Sequence, residues 1–149
     1  SDLRWLTEGY QLDITKLRRM PEDLPADDGI LSVELYHPTA AEEIAHQGLY
    51  QKWHGHRELQ LVCAGKQWMN FTPINADKGI ALSEYQNMHG ISPQETMAFG
   101  DNMNDASMLL RADYSYAIGN ARKEIKGLTR FVADTNMNDG VLQVLRTIK

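Results

Sequence analysis

Asp101 and Asp105 stand close together in Phe99-Gly100-Asp101-Asn102-Met103-Asn104-Asp105, with the carboxamides Asn102 and Asn104 between them. Hard oxygen donors at this density suit Mg²⁺, which is held through one or two carboxylates and keeps water or phosphate oxygen at its other positions. The apolar run Thr96 to Phe99 reads as a buried strand. Gly100 breaks it, and Met108, Leu109 and Ala112 open a helical pattern behind the loop. Open α/β sheets bind ligands at the carboxyl ends of their strands, where this loop would sit. Asp and Asn are also ordinary helix N-caps, accepting from free backbone N–H groups. Composition alone leaves both readings open. A calcium loop is excluded, because Met103 stands at the third position from Asp101. In the second acidic stretch, Asp134 to Gly140, the glycine falls one place late and Leu145 replaces the bidentate Glu.

The elements around the loop follow from periodicity. Residues 1 to 28 fit no single period, and Pro21, Pro25 and Asp27-Asp28-Gly29 mark a loop or linker. Ile30 to Tyr36 alternates and predicts a half-buried strand. Thr39-Ala40-Ala41-Glu42 has the form of a capping box opening a helix that runs to about Trp53 and ends near Gly55. Glu58 to Cys63 and Gln67 to Thr72 predict a hairpin about Ala64-Gly65-Lys66. From Asp77 the pattern becomes helix (Lys78 to His89, closed by Gly90), strand (Thr96 to Phe99), helix, strand (Tyr114 to Ile118), helix (Ala121 to Leu128), strand (Phe131 to Ala133) and helix (Gly140 to Ile148). The apolar positions Ile80, Ala81, Leu82, Tyr85 and Met88 recur at helical spacing. Such alternation argues a parallel, doubly wound sheet. His54 and His56 flank a glycine without a third ligand nearby, so a metal pair is rejected there. Cys63 stands alone beside Leu61 and Val62 and reads as a buried, inert thiol.

Gly100-Asp101-x-x-Asn104-Asp105-x-x-Met108 resembles the fourth motif of the haloacid dehalogenase (HAD) superfamily, in the form carried by Cof-type, subclass IIB phosphatases. Asn75-Ala76-Asp77-Lys78-Gly79 upstream, and Ile118-Gly119-Asn120-Ala121 and Asn138-Asp139-Gly140-Val141 downstream, resemble the same family in the same order. The resemblance implies an α/β fold: a partial HAD-like Rossmannoid parallel sheet with helices over 75–149, the C-terminal half of a core domain. Residues 1–74 then resemble part of a small α/β cap of type C2. It implies a Mg²⁺-dependent phosphoric monoester hydrolase acting on a small phosphorylated metabolite, with sugar phosphates the family-level expectation. Asp101 matches the direct Mg²⁺ ligand and a catalytic group. Asp105 matches the second metal-site acid, acting through water or a hydrogen bond. Asn104 matches the carboxamide that donates to phosphate, and Lys78 the catalytic lysine that bridges phosphate and nucleophile. A lysine at a helix N-terminus is not favoured by the dipole, and a bound phosphate would account for it.

The family's first motif, Asp-x-Asp-x-Thr, occurs nowhere in these residues; Asp13-Ile14-Thr15 holds only its tail. The expectation is therefore a C-terminal portion of a phosphatase that begins inside its cap and is inactive alone. It would self-associate or take a chain supplying the N-terminal half. A non-catalytic binding module left from such an enzyme is the alternative.

With 149 residues, 42% of them hydrophobic, there is enough apolar material for a core. Lys plus Arg is 15 against 20 Asp plus Glu, a formal net charge of −5, and basic residues form no run. That gives no electrostatic footprint for nucleic acid or a membrane surface. No apolar stretch reaches spanning length and the N-terminus does not read as a signal peptide. The expected location is the cytoplasm.

Overall fold

The computed structural model describes residues 32–53, 55, 57–63 and 66–148. Residues 1 to 28, His54, His56 and the Ala64-Gly65 turn therefore lie outside the described residues. Among the described residues, two three-stranded sheets follow one another along the chain.

The first sheet is antiparallel, in the order β1 (Val33–Tyr36), β3 (Trp68–Pro73), β2 (Leu59–Cys63). The hairpin register runs from Leu59 opposite Pro73 to Cys63 opposite Met69. Helix α1 (41–53) connects β1 to β2. Its middle turn, Ala45–Leu49, is π-helical between the α-helical segments Ala41–Ile44 and Tyr50–Trp53. Ala41 and Ala45 are fully buried against Leu61, Cys63 and Met69; small side chains let the helix backbone come down onto the sheet. That helix lies over β2 and β3, and β1 is exposed at all four residues. The half-buried β1 read from alternation is thus corrected.

The capping box at Thr39 is corrected as well. Ala40 is the N-cap and has no side-chain cap bond. His37 Nδ1 instead accepts from the amides of Ala40 at 3.0 Å and Thr39 at 3.4 Å. Glu42 turns away to a guanidinium, Arg122, because a bidentate charged bond outcompetes one to a single amide.

Beyond Pro73 comes helix α2 (Lys78–His89), then the second sheet, parallel and ordered β4 (Met97–Gly100), β5 (Tyr114–Ala117), β6 (Phe131–Val132). Helices α3 (Ala106–Leu109), α4 (Lys123–Leu128) and α5 (Gly140–Leu145) alternate with the strands. One sheet face buries Ala98 and Ala117 with Leu109, Ala112, Ala121 and Ile125. The other carries a ladder of rings: Phe99 on Tyr116 at 5.1 Å, and Tyr116 on Phe131 at 5.0 Å.

Helix α2 starts at an Asp77 N-cap and ends at Gly90 in the left-handed region, φ 64°. Its apolar positions do not form its buried face. Gly79 and Gln86 are buried, while Ile80, Tyr85 and Met88 are exposed. The contact with α3 is too close for side chains: a Cβ at Gly79 would lie 2.6 Å from the backbone of Ser107. Gln86 reaches inward to donate to Thr96 Oγ1 at 2.8 Å and to the Arg111 carbonyl at 3.1 Å.

Candidate active site

The loop after β4 and the first turn of α2 meet at the carboxyl end of the parallel sheet. Gly100 makes this turn feasible, since a Cβ there would sit 2.6 Å from Asp105 Cβ and 2.9 Å from Leu109 Cδ1. The loop then closes as a short 3₁₀ turn, Met103–Asp105, with Asn102 as N-cap. Asp105 Oδ2 accepts from the amides of Asp101 at 3.0 Å and Asn102 at 3.2 Å. Its other oxygen, Oδ1, accepts from Lys78 Nζ at 2.5 Å. Lys78 is half exposed and Asp105 nearly buried.

Burial pushes the Asp105 carboxyl up, but the Lys78 ammonium and the amides of Asp101 and Asn102 together outweigh it and hold it below the ordinary carboxylate range. Asp77 fixes Lys78 from the other side. Its Oδ1 accepts from the amides of Gly79 and Ile80 at 2.8 and 3.0 Å, and its Oδ2 accepts from Ser107 Oγ at 2.8 Å. Burial raises the Asp77 carboxyl too, and Ser107 with the two helix amides brings it below its usual value.

The two readings of the acidic loop therefore divide by residue. Asn102 and Asp105 cap the turn, whereas Asp101 and Asn104 make no side-chain hydrogen bond among the described residues. All four sequence-derived residues, Lys78, Asp101, Asn104 and Asp105, belong to this one corner. The lysine finds its partner in Asp105.

The donor set suits Mg²⁺ taken through one direct carboxylate. Asp101 is exposed and uncommitted, while both Asp105 oxygens are engaged. Among the described residues no group of three or more His, Cys, Asp and Glu could hold a metal on its own. Water and phosphate oxygen would complete such a shell.

The glycines of the downstream motifs stand at close backbone contacts. A Cβ at Gly119 would lie 2.8 Å from the Thr135 amide, and one at Gly140 only 2.0 Å from the Asp134 carbonyl oxygen. Lys126 Nζ donates to the Gly119 carbonyl at 2.5 Å. Sequence reasoning missed Asp77 as the anchor of the α2 terminus, although an Asp before a helix is a legible N-cap signal. It also missed Glu42 and Arg122, joined by two bonds of 2.8 Å across 80 residues of chain, for which no local signal exists.

An open parallel sheet with helices, and a lysine–carboxylate corner at its carboxyl end, define an α/β fold with a candidate ligand site where such sheets bind ligands. Comparison specifies the class: the family model for haloacid dehalogenase-like hydrolases matches residues 14–145. The chain belongs to that family, in its Cof-type branch. It is 33% identical over 102 residues to the 5-amino-6-(5-phospho-D-ribitylamino)uracil phosphatase YwtE of Bacillus subtilis, covering 68% of this chain and 32% of that one. It is 30% identical over 105 residues to the pyridoxal phosphate phosphatase YbhA of Escherichia coli, covering 70% and 35%. A haloacid dehalogenase-like hydrolase from B. subtilis superimposes over 100% of this chain and 54% of its own, with TM-score 0.76 and 26% identity. The chain thus matches about a third to a half of the length of these relatives.

Proposed function

We propose that this chain is the metal- and phosphate-binding portion of a Mg²⁺-dependent phosphoric monoester hydrolase acting on a small phosphorylated metabolite, sugar phosphates among them. The observation that carries the reading is the corner in which Lys78 is locked to Asp105 beside the uncommitted Asp101 and Asn104. Hydrolysing a phosphate monoester brings a carboxylate nucleophile against an anion, so like charge must be offset. Lys78 supplies a fixed positive charge, and its pairing with Asp105 keeps the ammonium in place before substrate arrives. Asn104 offers N–H donors to a phosphate oxygen without adding charge. Asp101 would hold Mg²⁺ directly, with Asp105 steadying the loop from behind. When bound, the ion neutralises phosphate charge and orients the reacting groups. Relatives named for phosphorylated ribitylaminouracil and pyridoxal phosphate support a small-molecule ester.

The nucleophile belongs to an Asp-x-Asp-x-Thr strand not found in these residues, and we assign its place to the free edge of β4. Among the described residues β4 pairs only with β5. An unpaired central-type edge attracts a further strand, supplied by the N-terminal half or, failing that, by a second copy of this chain.

The test uses the protein that carries this chain together with its nucleophile half. Asp101→Ala is expected to abolish Mg²⁺-dependent hydrolysis of p-nitrophenyl phosphate. Near-normal turnover by that variant at ordinary Mg²⁺ overturns the assignment.

A further inference from the structure

A fissure of about 400 Å³ lies between α1, β2 and the loops around Met103 and Arg122, a size suited to a small molecule. It adjoins the phosphate corner through the backbone. The Arg122 amide donates to the Asp101 carbonyl at 3.1 Å, and Met103, on the fissure wall, stands between Asn102 and Asn104. An ester whose phosphate sits at Lys78, Asp101 and Asn104 therefore has this fissure beside its leaving group.

The charges on the wall restrict what that group can be. Glu42 grips the Arg122 guanidinium end-on, Nη1 to Oε1 and Nη2 to Oε2, both at 2.8 Å. Glu124 adds a second carboxylate. Arg122 is thus neutralised where it stands, and among the described residues that line the fissure it is the only lysine or arginine. A second anion would meet more carboxylate than guanidinium, and like charges in a recognition site are costly. A hydroxyl can donate to Glu42 and accept from the N–H groups of Arg122 that the ion pair leaves over. His46 on the π-helical turn and Tyr50 just after it, stacked at 5.0 Å and 23°, give a flat wall for a carbon skeleton.

We infer that Glu42 and Arg122 are specificity-determining residues that read the leaving group, admitting an uncharged, hydroxyl-bearing one and rejecting one with a second negative charge. This selectivity rests on the phosphatase reading above and adds to it the residues that choose the substrate.

Glycerol 3-phosphate and 3-phosphoglycerate share a skeleton and differ in a hydroxymethyl group against a carboxylate, so the ratio of their kcat/KM values in the complete enzyme reports the selectivity. The wild type is expected to favour glycerol 3-phosphate by about tenfold or more. Glu42→Gln frees Arg122 and shifts the ratio toward 3-phosphoglycerate by about tenfold, a gain that misfolding cannot imitate. Arg122→Gln leaves Glu42 unpaired and moves the ratio the other way; it carries the test if Glu42→Gln does not fold. A wild type indifferent to the carboxylate, or variants that scale both esters alike, overturns the inference while leaving the phosphatase reading intact. A wild type that hydrolyses neither ester nor p-nitrophenyl phosphate with Mg²⁺ overturns the phosphatase reading itself, and the selectivity with it.

Discussion

Lys78 and Asp105 form a bond to which the proposed function gives a part in chemistry as well as stability, and the two roles separate experimentally. Removing a charge that meets phosphate in the transition state costs about 2.7–4 kcal/mol by analogy with a lost oxyanion donor. Lys78→Ala in the complete enzyme is therefore expected to cut kcat by about a hundredfold or more; equal rates would return Lys78 to the solvated surface. Asp105 predicts a pH effect. Its carboxyl is held below the 3.8 of a free aspartate, so near that pH the unfolded chain binds more protons than the folded one. Its stabilisation is complete above the unfolded value and is lost as pH falls through the folded one. Asp105→Asn should therefore be less stable at neutral pH and show a flatter decline as pH falls through and below 3.8 in urea melts. A decline as steep as that of the wild type would remove Asp105 from the acid response. Lys78, Asp101, Asn104 and Asp105 were legible in the sequence because each sits in a short local pattern. Glu42 and Arg122 were not, since nothing near either residue indicates a partner 80 positions away.

At the scale of elements, the strands and helices followed from periodicity, and the faces they bury did not. Helix α2 illustrates the difference. Its apolar residues have helical spacing, yet it packs through Gly79 and Gln86, because contact distance and one internal amide bond decide which face turns inward. The capping box at Thr39 failed for a related reason: Glu42 has a stronger partner in Arg122. Gly79→Ala tests the close contact. In a free helix the change is worth about 1 kcal/mol in favour of Ala. Here the new Cβ meets the Ser107 backbone at 2.6 Å, and overpacking of that kind costs about 1–3 kcal/mol. The expected net result is a lower Tm together with lost turnover, as the α2 terminus and Lys78 move away from Asp105. A rise in Tm with activity kept would show that the α2–α3 contact yields. Asp77→Ala, which removes the N-cap, is expected to cost about 1 kcal/mol, read by the same melts.

Across the whole molecule, apolar surface remains uncovered where a parallel sheet is ordinarily sandwiched. Tyr114 and Phe131 on the ring-bearing face, Tyr85 and Met88 on α2, and Leu142 and Leu145 on α5 are all exposed. Together with the edge of β4 that no described strand pairs, they match the proposal that another segment completes the core. The 149-residue chain by itself is expected to associate or bind a hydrophobic dye, and to leave p-nitrophenyl phosphate intact with Mg²⁺. Light scattering that shows a dye-silent monomer able to hydrolyse the ester would contradict this. The exposed surface was not legible from composition, because the same apolar residues serve in a finished core.

The span of the Glu42–Arg122 pair also bears on the order in which the molecule assembles. The parallel sheet joins residues close in sequence, Met97 to Tyr114 and Tyr116 to Phe131. The ion pair must close a loop across 80 residues, and loop-closure entropy makes such contacts slow to form unless the intervening chain has already been shortened. The wall carrying this pair is therefore expected to form late, after both sheets, and to open early. In a double-mutant cycle over Glu42→Gln and Arg122→Gln, the coupling should appear in the unfolding rate and leave the refolding rate nearly unchanged. Coupling confined to refolding would place the pair in the nucleus instead.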